Sequence, residues 1–420
     1  MEWRKFETAL GSPLYICKMP GAQSVASAVF VRAGTREEVW PKESGIAHAL
    51  EHMLFHGAGR FPDSKAVSEA IEKTGGWLNA WTDKEATCYI NGVPPEHIET
   101  ALLVLSEQIF APRLLADKIP TEMSNIIEEI KMHNDKPMSF SGILFEEAIY
   151  KGHALGKNTL GTVEALKNFT QSDFKKFHTT FYHPKNFALV IAGAVNSSNA
   201  RSFFKKYFDS HKAPVLCLEP ALTTNRGATS QKITGLKEKI VEKDIEQANI
   251  QLGWLIPGAS SKDTIALKLF REMLRGGMSF PLFQEVREKR GLCYAVNASV
   301  CRYSDAGDFS IYIGTSPERV KEAVDVALDV VWSTRNRTDL LKIVKNMMLG
   351  KIKLSSEATS DVLDRALGDL ARGQEPKSFS DTLREIKEVT IADVESSVER
   401  HLAPEKLVKA MVIPRKDHAI

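Results

Sequence analysis

A repeat within the chain constrains its fold most. EMLRGGMSF (Glu272–Phe280) resembles HMLFHGAGR (His52–Arg60) at an offset of 220 residues. GLCYAVNAS (Gly291–Ser299) resembles GGWLNAWT (Gly75–Thr82), with Asn297 matching Asn79 at an offset of 218. Two independent stretches at nearly one offset indicate one structural plan used twice, in units of about 210 residues. The 420-residue chain is long enough for this. The expected division is residues 1–215, a linker at 216–230 and a second unit at 231–420. The linker falls in HKAPVLCLEPALTTNRGATS, which is rich in Pro, Thr and small residues. The first unit reads as α+β. Strands are expected at Ser24–Val31, Trp77–Thr82, Ala86–Asn91 and Phe187–Val195. Helices are expected at Asp63–Lys73, Glu96–Ile109 and Pro120–Asn134. The second unit repeats the plan, with a strand at Ile250–Leu255 and a helix at Asp263–Leu274.

The chemistry concentrates in GIAHALEHMLFHGAG (Gly45–Gly59). Its apolar residues are mostly good helix formers, Ser44 is a candidate cap, and Gly57 and Gly59 can end the helix. Residues three and four apart share a helix face, so His48, Glu51 and His52 project together. Two imidazoles one turn apart can grip a single metal ion with a carboxylate beside them. Zinc binds imidazole nitrogen at roughly 2.0–2.1 Å, and catalytic sites keep one position open for water. H-x-x-E-H is the mirror order of the metalloprotease H-E-x-x-H. His56, two turns from His48, reads as a helix-end imidazole near the carbonyl dipole. The positions matching His48, Glu51 and His52 in the second unit are Lys268, Arg271 and Glu272. Two cations there exclude a second zinc site.

Composition narrows the rest. The chain is 43% apolar and 26% charged with a formal net charge of +2, so no global field calls for nucleic acid or an anionic membrane. No stretch approaches the roughly 20 apolar residues that span a bilayer. The first 21 residues have no apolar signal core. The five cysteines form no C-x-x-C pair, which suits reduced thiols and a cytoplasmic location.

Two histidines need a third ligand. The acidic helix TEMSNIIEEIKMHNDKP (Thr121–Pro137) offers Glu122, Glu128 and Glu129. H-x-x-E-H, a glutamate separated from its last histidine by 76 intervening residues, an N-A-x-T strand between them and the duplicated unit together resemble the pitrilysin/insulinase family of zinc peptidases. The resemblance covers essentially the whole chain and is closest to the short, roughly 400-residue class. It implies Glu129 as third zinc ligand and Glu122 as the carboxylate supporting a ligand histidine, leaving Glu128 as a solvated charge. Glu122 and Glu129 are two helical turns apart on one face, and a ligand histidine usually gives its other N–H to a carboxylate.

The resemblance also implies that Asn79, Ala80 and Trp81 lie beside an extended substrate. By residue type, Trp77 reads instead as a core residue of a twisted sheet. The family's R-x6-Y pair falls on Arg287 and Tyr294, as donors to substrate and to the developing oxyanion. By residue type alone, Arg287 equally suits a solvated basic helix and Tyr294 a strand aromatic. The implied architecture is half of a clamshell, with Arg287 and Tyr294 serving a partner's site in a homodimer. The implied activity is cleavage of short unstructured peptides by zinc-activated water, with Glu51 as general base. Two alternatives stand beside it: a precursor-processing peptidase with a different partner subunit, and a non-catalytic core subunit like those of the respiratory cytochrome bc complex.

Overall fold

The computed structural model describes residues 1–209, 233 and 235–415; the expected linker at 216–230 lies outside them. The described residues form two sheets, each in its own compact unit. One unit holds Met1–Ile130, 157–209 and Lys353–Phe379; the other holds Lys131–Gly156, 235–352 and 380–415.

The first sheet contains β1 (Trp3–Glu7), β2 (Pro13–Lys18), β3 (Val25–Val31), β4 (Trp77–Thr82), β5 (Thr87–Val93) and β6 (Phe187–Gly193), in the order β1-β2-β6-β3-β5-β4. Only β2 and β6 pair in parallel. The central strands β3 (VASAVFV) and β6 (FALVIAG) are buried along their whole length, so both of their faces are apolar. Val25, Val29 and Val31 face a core built with α1 (Ile46–Met53), α2 lying further out at Ser64–Glu72, α3 (Ile98–Phe110) and α4 (Ile119–Asp135). The opposite face presents Ala26, Ala28, Ala188 and Ala192 to Val362, Leu363 and Leu367 of helix Thr359–Ala371. Small side chains on that face let the helix approach the sheet closely.

The second sheet contains β7 (Glu238–Lys243), β8 (Ala248–Pro257), β9 (Cys293–Arg302), β10 (Ala306–Thr315) and β11 (Val408–Pro414), in the order β7-β11-β8-β10-β9. Again one pair, β7 with β11, is parallel. α5 (Pro137–Ile149) covers β8 and β11 through Leu144, Phe145 and Ala148.

The expected α+β plan is therefore present twice, each time as a mostly antiparallel sheet packed with helices. In each sheet a hairpin, β4–β5 or β9–β10, places its first strand at the edge. The covering helices are exchanged in sequence. The second sheet takes α5 from the chain's first half, and the first sheet takes Thr359–Ala371 from its second half. Among the described residues no helix is long and apolar enough to cross a membrane.

Candidate metal centre

α1 is shorter than the motif suggested, ending at Met53 rather than at Gly57. Ser44 does not cap it. Gly45 holds that place with φ 91° and no side chain to offer. A carboxylate from the preceding loop does the capping instead: Gly45 N–H and Ala47 N–H donate to the two oxygens of Glu38 at 2.9 and 3.1 Å.

On α1, His48 and Glu51 are buried and His52 is half-buried. The imidazoles of His48 and His52 meet edge to face, 4.7 Å between ring centres. α4 brings Glu129 to them, with His48 Nε2 3.8 Å from Glu129 Oε2. One donor atom from each of His48, His52 and Glu129 lies within 4.8 Å of the other two. Two imidazole nitrogens and one carboxylate oxygen are a donor set that fits zinc with a position left open. Glu128 is exposed, as its place on the outer face of α4 requires.

Glu122, two turns before Glu129 on α4, supports the imidazoles. His52 Nδ1 lies 3.1 Å from Glu122 Oε2 and His56 Nε2 lies 2.7 Å from Glu122 Oε1. The hydrogen bond from His52, then that from His56, hold the Glu122 carboxyl down at about 2 against the opposing effect of burial. Glu122 is thus an acceptor only, so His52 carries its proton on Nδ1 and turns Nε2 toward the cluster. Burial pulls the His52 pKa down, but the Glu122 bond and neighbouring carboxylates outweigh it and leave it raised. His56 is therefore a working member of the site rather than a helix-end imidazole. The signal was present in the sequence, because His56 sits one turn beyond His52 on the same stripe.

Glu51 points to the other side. Thr82 Oγ1, at the end of β4, donates to Glu51 Oε2 at 2.6 Å. Burial pushes the Glu51 carboxyl up, and the Thr82 bond pulls it partly back. Thr82 was not foreseen, although it closes the N-A-W-T run. Side chains alternate across a strand, so Ala80 and Thr82 share the α1 face of β4. Trp81 lies on the other face, edge-on to Phe30 at 6.3 Å between ring centres. Asn79 is exposed and its Oδ1 accepts the Ala80 N–H at 2.9 Å. Trp77, expected in the core, is 43% exposed. It sits on the sheet's outermost strand, its indole lying over Gly92, where a Cβ would come 2.5 Å from Trp77 Nε1.

The second unit carries no such cluster among its described residues. Buried Glu272 accepts from Arg271 and, at 3.0 Å, from Lys351 Nζ. Burial raises its pKa, but these two cations more than offset that and hold it below the usual carboxylate range. An Arg–Glu ion pair thus stands at the positions that match Glu51 and His52. Arg287 lies in a π-helical turn (Phe283–Glu288) with its guanidinium 4.8 Å from the Phe283 ring centre and 5.0 Å from that of Tyr294. Tyr294, on edge strand β9, is 76% exposed. The pair borders a cavity of about 460 Å³ lined also by Phe145, Asp308 and Tyr312.

A duplicated α+β chain with a His–His–Glu cluster and a buried, non-clustered glutamate one residue before the second histidine has the make-up of an H-x-x-E-H metallopeptidase. Comparison with known proteins places it more narrowly. Residues 15–163 match the family model described as insulinase (peptidase family M16), and residues 168–340 match the peptidase M16 inactive domain. An uncharacterized zinc protease of Mycobacterium tuberculosis is 31% identical over 94% of this chain and 90% of its own length. The uncharacterized zinc protease YmxG of Bacillus subtilis is 30% identical over 94% of each. The chain belongs to the insulinase (M16) family of peptidases. Among solved structures, a protease from Helicobacter pylori superposes with a TM-score of 0.89 at 21% identity, covering 98% of this chain and 99% of that one. A chain of complex III2 from Candida albicans superposes at 0.80 with 16% identity, covering 97% and 95%. These two establish the shared fold.

Proposed function

We propose that the chain is a zinc-dependent endopeptidase that hydrolyses short unstructured peptides and works as a homodimer. One observation carries this reading: buried Glu51, oriented by Thr82, stands beside a His48–His52–Glu129 donor set whose tautomer Glu122 fixes.

Zinc held by His48, His52 and Glu129 would supply a Lewis acid and bring the pKa of its water to roughly 7. Glu51 does the proton transfer. Its carboxylate takes a proton from the attacking water as the water oxygen bonds to the scissile carbonyl carbon. It then gives that proton to the amide nitrogen as the C–N bond breaks. A carboxyl raised by burial suits both steps, because it holds the proton more readily than a solvated one. Edge strand β4 offers backbone groups to an extended peptide, a mode that reads shape more than sequence. The guanidinium of Arg287 and the phenol of Tyr294 donate to peptide oxygens, serving the other subunit's centre in the homodimer.

Metal removal tests the reading. A strong chelator should abolish cleavage of an unstructured 20–30-residue peptide mixture, and stoichiometric zinc should restore it. If the zinc-loaded protein leaves every peptide intact, generic peptidase activity is refuted. A precursor-specific enzyme with another partner, or a structural subunit, would then replace it.

A further inference from the structure

The imidazoles and Glu51 sit on a helix of only eight residues. Helices this short are unstable in isolation, and three of the four side chains described above are held by partners outside α1. His52 and His56 are held by Glu122, and Glu51 by Thr82. Those anchors all act on the second half of α1 or beyond it.

The first turn has a different problem. At Gly45, φ is 91°, and a Cβ would lie 2.7 Å from Leu160 O and 2.8 Å from Gly161 Cα. Gly161 mirrors it, with φ 80° and a Cβ position 2.3 Å from Ser44 O. The two backbones are packed so closely that no capping side chain fits at Gly45. The helix's leading N–H groups need an acceptor all the same. Glu38 supplies both of its oxygens, one to Gly45 N–H and one to Ala47 N–H. Two backbone N–H groups donating to one buried carboxyl fix both the height and the rotation of the first turn. Ala47 immediately precedes His48, so the rotation set there is the rotation of the His48 imidazole. Burial pushes the Glu38 carboxyl well up, against the opposing pull of these two backbone hydrogen bonds, so the clamp rests on the geometry of its two oxygens rather than on charge.

We propose that Glu38 is a positioning residue for the metal centre: by clamping Gly45 and Ala47 it sets the direction of His48 toward His52 and Glu129. This rests on the reading that the cluster holds a metal ion. Neighbouring Glu37 provides an internal control. It is partly buried too, but its carboxyl accepts from Gly34 N–H at 2.7 Å and holds only its own loop turn.

The test uses the full chain with Glu38→Gln, Glu38→Asp, Glu37→Gln and His52→Ala. Zinc affinity is measured by chelator competition, the cobalt(II) absorption spectrum is recorded, and thermal unfolding of the metal-free proteins is followed. A glutamine at 38 keeps the volume but turns an N–H₂ toward one backbone N–H, breaking one of the two bonds. Asp, one methylene shorter, cannot reach both donors. Both Glu38 variants should bind zinc about tenfold more weakly or worse, the scale seen when a partner supporting a metal ligand is lost. Their cobalt bands should shift in position. Glu37→Gln should match wild type in affinity and spectrum. Wild-type zinc affinity and cobalt spectrum in both Glu38 variants would overturn the proposal. So would equal losses in the Glu37 and Glu38 variants that simply follow their unfolding temperatures. Wild type and His52→Ala binding zinc equally poorly would instead bring down the metal-site reading on which this one stands.

Discussion

Replacing Thr82 with valine removes one hydrogen-bond donor and almost no volume. Thr82 Oγ1 donates to Glu51 Oε2 at 2.6 Å and lies 3.4 Å from Thr87 Oγ1, which has its own bond to Ala33 O at 2.9 Å. The substitution therefore acts on Glu51 and leaves Thr87 satisfied. A hydrogen bond to an ionised group is worth about 1.5–3 kcal/mol. Thr82 stabilises the charged form of Glu51, so its loss pushes an already raised carboxyl further up. A general base must be deprotonated to work. The acid limb of the kcat/KM profile should therefore move to higher pH. At a fixed pH on that limb, Thr82→Val should be about 10- to 100-fold slower, which is the same free energy written as an ionised fraction. Thr82 touches none of the cluster's donor atoms, so zinc content should stay at the wild-type level. The assay is cleavage of a quenched fluorescent peptide from pH 5 to 9, with zinc measured on the same samples. An acid limb superimposable on wild type would refute the role given to Thr82. Loss of zinc in the variant would show that the site is not divided as described.

Glu122→Gln should weaken zinc binding about 10- to 100-fold, because one neutral amide replaces the carboxylate that accepts from both His52 and His56; chelator competition measures it. Glu37 makes a pH prediction. Its surroundings raise its pKa from 4.5 to about 8 mainly by desolvation. Between those values the folded chain keeps a proton that the unfolded chain has lost, so stability falls as pH rises through this window. Glu37→Gln should flatten that decline in thermal unfolding temperature; an unchanged slope would contradict it. Mixing Glu51→Gln with Tyr294→Phe protein and allowing subunits to exchange should recover part of the activity that neither has alone, if Tyr294 serves the other subunit's site. No recovery in exchanged dimers would refute that arrangement.

Much of the centre is written locally. His48, Glu51 and His52 fall on one stripe because a helix has 3.6 residues per turn, and the alternation in Trp77–Thr82 marks a strand for the same kind of reason. Glu129 is legible only by resemblance, since nothing local says which of three glutamates on α4 faces α1. Glu38 and Thr82 were missed for a related cause. Glu38 lies in an irregular loop seven residues before Gly45, and its partners are backbone N–H groups that leave no mark in sequence. Thr82 acquires its partner only when β4 lies against α1. The strands β1, β2, β7, β10 and β11 are likewise not among those the sequence leads one to expect. β7 reads EKIVEK, with charged residues on both faces and Ile240 on the exposed one, and β1 (WRKFE) is similarly mixed. Periodicity also cannot say which sheet a helix covers. α5 and Thr359–Ala371 are ordinary apolar helices in sequence, and only packing assigns each to the sheet formed mainly from the other half of the chain. An apolar indole favours the core, but the edge strand leaves Trp77 one open side.

The central claim is that Glu51 moves the proton while His48, His52 and Glu129 hold the metal. Glu51→Gln tests it most directly, with zinc per chain and peptide cleavage measured on one preparation beside wild type. The account predicts one zinc in both proteins, cleavage by wild type, and loss of nearly all cleavage in the variant. A zinc-loaded Glu51→Gln protein that cuts peptides at the wild-type rate would contradict it.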